Sequence, residues 1–324
     1  MIHLDVAIIG AGPIGLACSI AVKKLGLKHA VFEKGCLVNS LYHYPQNMTF
    51  FSTSEKLEIG GLPFVSLQSK PGRAEALEYY RRVVVHYDLP VKLFESIEQL
   101  RPLEETADGF RFTTHKNSYT AKKVIVATGF YDRPVALGIQ GEELHKVSHY
   151  YKDPHFYAFQ KVLVIGGNNS AVDAALECWR KGAEVTMVMM EEGIGKRVKY
   201  WVRPDIINRI EEGSIKAYTQ STLSAIRPLE VDVDTPDGKV TIDNDWVLAM
   251  TGYKPDFGFL KKMGVSLSDD GKFYPEYNPE TMQTNVPGLY LAGVVVGGMD
   301  THIWFIENSR EHASIIAEHL RSLF

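Results

Sequence analysis

The sequence predicts an α/β protein built from two doubly wound units, one inserted in the other, and three observations predict it. An apolar strand, Val6-Ala7-Ile8-Ile9, runs straight into Gly10-Ala11-Gly12-Pro13-Ile14-Gly15 and then a helix. A second apolar strand, Lys161-Val162-Leu163-Val164-Ile165, runs into Gly166-Gly167-Asn168-Asn169-Ser170-Ala171 and an alanine-rich helix through Arg180. A late strand within residues 284–293 ends in Ala292-Gly293 and brings the chain back to the first sheet. At 324 residues, 45% hydrophobic and 23% charged, the chain has room for two domains with separate cores.

The first strand-turn-helix carries the dinucleotide fingerprint. Gly10 permits the tight turn, Gly12 lets the backbone approach a pyrophosphate, and Gly15 lets helix pack on strand, while the helix start offers N–H groups to the anion. A second short strand, Ala30-Val31-Phe32, ends at Glu33, about 20 residues on, where a carboxylate can hold a ribose hydroxyl. The intervening helix places Ile14, Ala17, Cys18, Ala21, Val22 and Leu25 on one face, so Cys18 reads as a small buried hydrophobe. Cys36 falls in a loop at the ribose and adenine end, away from any reactive ring.

The second copy has Asn168 where the second glycine would stand and Ala171 at the third position, where small residues are allowed. Its polar Asn168-Asn169-Ser170 start suits a phosphate. Val172, Ala175, Leu176 and Trp179 form the apolar stripe of the following helix, with Cys178 on its border. The next strand, Val185 to Met190, runs into Glu191-Glu192, which favours a ribose hydroxyl, yet Lys196, Arg197 and Lys199 follow closely enough to reach a 2′-phosphate. NADPH and NADH both stay open. Two more strand ends, Val124-Ile125-Val126-Ala127-Thr128-Gly129 and Trp246-Val247-Leu248-Ala249-Met250-Thr251-Gly252, read as crossovers between domains. The expectation is two Rossmann-like dinucleotide-binding domains: an FAD-binding domain from residues 1–128 and 253–324, and an NAD(P)H-binding domain, residues 129–252, inserted in it. The segment 301–323 reads as a helix whose N-terminal amides face the flavin pyrimidine.

The net charge of −4, with no long basic run, gives no reason to expect nucleic acid or a membrane surface. Asp5 beside a run no longer than a strand argues against a leader or a membrane span. The three cysteines are too scattered for a disulfide framework, and a reducing cytoplasm suits them. His145, His149 and His155 lack a partner pair at metal-ligand spacing, so no metal is expected.

Over its whole length the chain resembles the two-dinucleotide-binding-domain flavoproteins of thioredoxin reductase type, and within them the YpdA-type bacillithiol disulfide reductases. The runs that carry the likeness are Asn39-Ser40-Leu41-Tyr42-His43-Tyr44-Pro45, Asn47-Met48-Thr49-Phe50-Phe51-Ser52-Thr53-Ser54-Glu55, Val198-Lys199-Tyr200-Trp201-Val202-Arg203-Pro204-Asp205 and Phe305-Ile306-Glu307-Asn308-Ser309-Arg310-Glu311-His312. The resemblance implies electron flow from NADPH through FAD to a small disulfide, bacillithiol disulfide above all, in a cytoplasmic homodimer. It also implies that Pro13, Ile14, Lys34, Ser40, Leu41, Asn47, Thr49, Ala127, Thr128, Gly129, Gly293, Val294 and Ile303 join Gly10, Gly12, Gly15 and Glu33 around the cofactors. On the nicotinamide side it adds Thr251 and Gly252 to Gly166, Gly167, Asn168, Asn169, Ser170, Lys196 and Arg197.

Three positions depart from the pattern. No Cys-x-x-Cys stands in the region of Val147-Ser148-His149-Tyr150-Tyr151, so direct reduction of thioredoxin is not expected. Several YpdA-type proteins carry a cysteine in the first fingerprint, and the matching residue here is Ile14, which rules out a thiolate relay there. Related reductases have an aspartate after the last Ala-Gly, where this chain has Val294, and a basic pair after the nicotinamide strand, where it has methionine and glutamate. Reducing a disulfide still requires a proton or cation for the departing thiolate, and His149, Tyr150 and His302 are the nearest donors by sequence context. Two alternatives remain. Gly141-Glu142-Glu143-Leu144-His145 followed by His149-Tyr150 resembles the Gly-x-x-x-His linker of flavin monooxygenases, and the missing cysteines suit a nucleotide-binding redox sensor or electron-transfer protein.

Overall fold

The computed structural model describes residues 1–103 and 109–324. The chain forms two compact units. One comprises Met1–His43, Met48–Arg133 and Tyr253–Phe324, and the other comprises Tyr44–Asn47 and Pro134–Gly252.

In the first unit Leu4 and Val6 through Ile9 are buried, which makes Ile2–Ile9 a central strand covered on both faces. Its parallel neighbours are His29–Phe32 on one side and Ser118–Val126 on the other, in register from Ile2 opposite Tyr119 to Ile9 opposite Val126. Val91–Lys92 extends the sheet beyond His29–Phe32, and Leu289–Leu291 pairs in parallel with the C-terminal end of Ser118–Val126. Antiparallel strands Phe110–Thr113 and Glu98–Pro102 continue from the other end of Ser118–Val126. The rings of Phe32, Phe112 and Tyr119 meet at 5.0–5.1 Å and fill the space under this junction.

The fingerprint helix Pro13–Lys24 is buried at every position from Pro13 to Ile20, not along one stripe alone. The cause is the late helix His312–Arg321, which packs on it as a second partner besides the sheet. The closing segment is also not one helix. Ile303 N–H donates to Asp300 O, Asn308 Nδ2 donates to Ile303 O, and Phe305 N–H donates to Asn308 Oδ1 at 2.7 Å. The backbone turn at Asp300 and the two Asn308 side-chain bonds compete with helical ones, so helix begins only at Ile306–Ser309 and again at His312–Arg321.

The second unit holds a parallel sheet in the order Lys216–Tyr218, Glu184–Val188, Lys161–Ile165, Trp246–Ala249, Val147–Ser148. Helix Asn169–Arg180 covers it through Val172, Ala175, Leu176 and Cys178, with Trp179 partly buried beside them. An antiparallel sheet of Thr222–Ile226, Glu230–Thr235 and Gly238–Asp243 packs on the other side through Leu223, Ile226, Val231 and Val233. Residues 44–47 belong to this unit: Gln46 N–H donates to Lys152 O at 2.9 Å and Asn47 Nδ2 to Glu177 Oε2 at 3.3 Å. Among the described residues no helix is long and apolar enough to cross a membrane.

Candidate functional site

Both strand-turn-helix elements present their turns at the C-terminal ends of parallel strands, where doubly wound sheets bind ligands. In the first, Gly10 has φ +104°, and a Cβ on it would lie 2.5 Å from Ala127 O; a Cβ on Gly15 would lie 1.9 Å from Gly10 O. Both glycines are therefore required by backbone contact within the protein. Gly12 differs, because a Cβ there meets nothing within 4 Å, and it caps Pro13–Lys24 with no side chain bonded to the helix amides. Open space above an uncapped 12-residue helix fits a pyrophosphate.

Glu33 is buried, and its two carboxylate oxygens accept the N–H groups of Ala11 and Gly35, each at 2.9 Å. Burial pushes its pKa up, against the pull of the two amides. The acid thus holds the fingerprint turn in shape, and each oxygen keeps a lone pair for a ribose hydroxyl. The donor set and the open turn fit FAD. Around them, Lys34 pairs with Asp132 at 2.8 Å. Ser40 and Leu41 lie on helix Asn39–His43, where Leu41 O accepts from Arg73 Nε at 3.1 Å. Thr49 bridges Gly72. Ala127 N–H donates to Ile9 O, leading into Thr128 and Gly129 beside the Gly10 turn. Val294 follows Gly293 in the short 3-10 turn Gly293–Gly297, and Ile303 is 41% exposed beyond it.

In the second unit Gly166 takes the place of Gly10, with φ +114° and a Cβ on it 2.9 Å from Met250 O, while a Cβ on Gly167 would lie 3.0 Å from Met189 Sδ and 3.3 Å from Gly193 O. Asn168 caps Asn169–Arg180 by position with no side-chain bond to the helix, so its side chain does not satisfy the amides of the first turn, the groups that a helix start offers to an anion. The loop after Glu184–Val188 is fastened onto this turn. Gly195 N–H donates to Gly167 O at 2.9 Å, Asn169 Nδ2 to Arg197 O at 3.1 Å, and Lys199 N–H to Asn169 Oδ1 at 2.9 Å. Lys196 and Arg197 are exposed there, whereas Lys199 is buried with Asp173. Thr251 Oγ1 donates to Val135 O, and Gly252 O accepts from Val135 N–H.

The three proton-donor candidates do not gather in one unit. His149 and Tyr150 follow strand Val147–Ser148 in the second unit, where His149 Nε2 lies 3.1 Å from Glu142 Oε1. Glu142 also accepts the amides of Leu137 and Gly138 at 2.7 and 2.8 Å, and these partners hold its carboxyl below the usual range despite desolvation. The neighbouring Gly141 is fixed by packing, since a Cβ there would meet Ile226 O at 1.9 Å. His302 is exposed in the first unit, close enough to Asp300 to lower that carboxyl's pKa, after the larger effects of Lys272 and Tyr274.

None of the three thiols is set up for redox work. Cys18 and Cys178 are buried, each pushed up to about 12 by desolvation. Cys36 is partly buried, its thiol turned to Asn39 Oδ1 at 3.5 Å and its pKa also raised by burial, then by Glu33. Asp132 and Asp173 went unnamed in the sequence, while Glu142 and His312 stood there only inside longer runs, with no role of their own. The signal that could have found Asp173 is its place one turn beyond Asn169 on the same helix face.

Residues 7–293 match the family model described as pyridine nucleotide-disulphide oxidoreductase. The bacilliredoxin reductase Bdr of Bacillus subtilis strain 168 is 42% identical over 318 residues, covering 98% of this chain and 97% of that protein. The solved bacillithiol disulfide reductase Bdr (YpdA) of Staphylococcus aureus superposes with a TM-score of 0.96 at 38% identity, covering 100% of this chain and 99% of that one. The Bdr (YpdA) of Bacillus cereus does so with a TM-score of 0.96 at 40% identity, covering 99% and 100%.

Proposed function

The chain belongs to the pyridine nucleotide-disulphide oxidoreductase family, and from that premise we propose that it reduces bacillithiol disulfide with NADPH, with FAD in the first unit, and without a protein thiol in the relay. It is an NAD(P)H-dependent flavoprotein oxidoreductase. The observation that carries the thiol-free route is the state of Cys18, Cys36 and Cys178, each with its thiolate disfavoured. Bound FAD supplies the two-electron exchange between a reduced nicotinamide and a disulfide.

The protein's part is to bind, orient and supply protons. The Gly10–Gly15 turn would take the pyrophosphate of FAD and Glu33 its ribose, and Gly166 to Ser170 would take the pyrophosphate of the nicotinamide nucleotide. Exposed Lys196 and Arg197 favour a 2′-phosphate and hence NADPH. The net reaction, NADPH plus a disulfide plus one proton giving NADP⁺ and two thiols, requires that a departing sulfur be protonated. His302, exposed on the flavin-binding unit, suits that role, and His149, oriented by Glu142, and Tyr150 suit a proton-holding role in the second unit. The bacterial cytoplasm and a homodimer complete the reading, on resemblance to the YpdA-type reductases.

The test is anaerobic bleaching of the flavin by NADPH and by NADH, followed by bacillithiol disulfide, coenzyme A disulfide and cystine in turn. Return of the oxidised spectrum with bacillithiol disulfide is expected. A flavin that stays reduced with every disulfide and reoxidises only in oxygen, through a long-lived peroxide, would overturn the reading in favour of a monooxygenase.

A further inference from the structure

Strand Leu289–Leu291 ends beside Ala127, where Ala292 N–H makes the last sheet bond, to Val126 O at 2.9 Å. The next residue, Gly293, has φ +83°, and a Cβ on it would sit 3.3 Å from Ile14 Cγ1 of the fingerprint. Its amide is buried past the end of the ladder, a position where an unsatisfied N–H costs about 1–3 kcal/mol. His312 Nδ1 accepts it at 3.1 Å. An accepting Nδ1 carries no proton, so the imidazole is neutral with its hydrogen on Nε2. The surroundings agree, since His312 is 3% exposed and desolvation pushes its pKa down to about 4. The ring also lies edge-on to Trp304, centroids 4.5 Å apart, and a Cβ added to Gly297, at the far end of the same turn, would lie 3.2 Å from Trp304 Cδ1. His312 itself opens the helix that packs on Pro13–Lys24.

We propose that His312 is a positioning residue for the flavin, holding the Gly293–Gly297 turn against Ile14 through the Gly293 amide. The inference rests on the reading of the first unit as the FAD site. It follows from Val294, whose side chain offers the turn no hydrogen bond, so that the order of Gly293 and Val294 comes from the imidazole behind them. His312 acts through Gly293 and has no assigned contact with the reacting atoms.

The experiment is titration of flavin-free apoprotein with FAD, read by fluorescence quenching and visible circular dichroism, for wild type, His312→Leu and His312→Asn. Asparagine can set its Oδ1 where Nδ1 stands, whereas leucine has no acceptor. The expected result is a Kd raised at least tenfold in His312→Leu with a changed flavin dichroism, and a Kd within about threefold of wild type in His312→Asn. An unchanged Kd and dichroism in His312→Leu would overturn the proposal, as would equal losses in the two variants. If His312→Leu does not fold, His312→Gln takes its place, its acceptor displaced from the Nδ1 position; affinity equal to that of His312→Asn overturns the proposal. Wild-type apoprotein that takes up no FAD would instead remove the FAD reading on which the inference stands.

Discussion

Lys199 Nζ lies 2.6 Å from Asp173 Oδ2, both on elements that shape the second nucleotide turn, and the lysine side chain is 6% exposed. Of the three cations after strand Glu184–Val188, this one is an internal strut, while Lys196 and Arg197 remain at the surface. Replacing both exposed residues by alanine is expected to raise KM for NADPH about tenfold or more, the usual worth of charge-assisted bonds to a phosphate, and to leave KM for NADH unchanged. Steady-state kinetics with both nucleotides checks this. An equal rise for the two would mean that the loop does not read the 2′-phosphate.

The strut itself makes a separate expectation. Lys199→Met leaves Asp173 without its buried partner and should cost about 3 kcal/mol, read as a lower urea midpoint. Lys199→Met with Asp173→Leu should recover part of that loss, because the second change removes the stranded charge. A double variant no more stable than the single one would show that the pair is not coupled.

How much of this could be read from sequence follows from the range of the forces involved. Gly10, Gly15 and Glu33 were legible because a local turn needs them: Gly10 meets Ala127 O, Gly15 meets Gly10 O, and Glu33 fastens Ala11. The parallel strands that carry the two turns were legible for the same reason, whereas the antiparallel strands Glu98–Pro102 and Phe110–Thr113 and the sheet of Thr222–Ile226, Glu230–Thr235 and Gly238–Asp243 were not. His312 was not, since a single histidine at a helix start says nothing of an amide 19 residues earlier, and only the folded chain joins them. The break before Ile306 was hidden too, because Asn308 and Asp300 compete with helix through bonds that helical periodicity does not report. Glu142 beside His149 and Asp132 beside Lys34 needed tertiary placement in the same way.

The thiols give a third expectation. With Cys18 and Cys178 buried and pushed up to about 12, and Cys36 raised as well, none is substantially ionised at pH 7.5. Cys36→Ser should retain disulfide reduction within about twofold, and native enzyme treated with iodoacetamide should lose little activity. Proportional loss of activity with one alkylated cysteine, located by peptide mass, would contradict a thiol-free route.

A fourth expectation concerns His302. If its exposed imidazole protonates the departing sulfur, His302→Asn should lower kcat with disulfide by about 10²-fold or more while leaving anaerobic bleaching by NADPH at its wild-type rate. Stopped-flow separates the two half-reactions. Slower bleaching with an unchanged disulfide step would move His302 to the nicotinamide half of the cycle.

Acid stability tests the state of His312. Burial takes its pKa from the ordinary 6.5 down to about 4, which keeps Nδ1 free to accept the Gly293 amide. Above pH 6.5 the ring is neutral whether the chain is folded or not, and its contribution is fully present. Between 6.5 and about 4 the unfolded chain binds a proton that the folded chain refuses, so stability falls as pH falls; below about 4 the loss is complete, at roughly 3 kcal/mol. His29, also lowered by burial, adds a slope of the same sign. His312→Asn keeps an acceptor and cannot titrate, so it isolates the His312 part. Urea unfolding at pH 7, 6 and 5 should show the wild type losing roughly 2 kcal/mol more than His312→Asn by pH 5. Parallel slopes in the two proteins would mean that His312 is protonated as readily in the folded chain as in the unfolded one, and that burial does not hold its ring neutral.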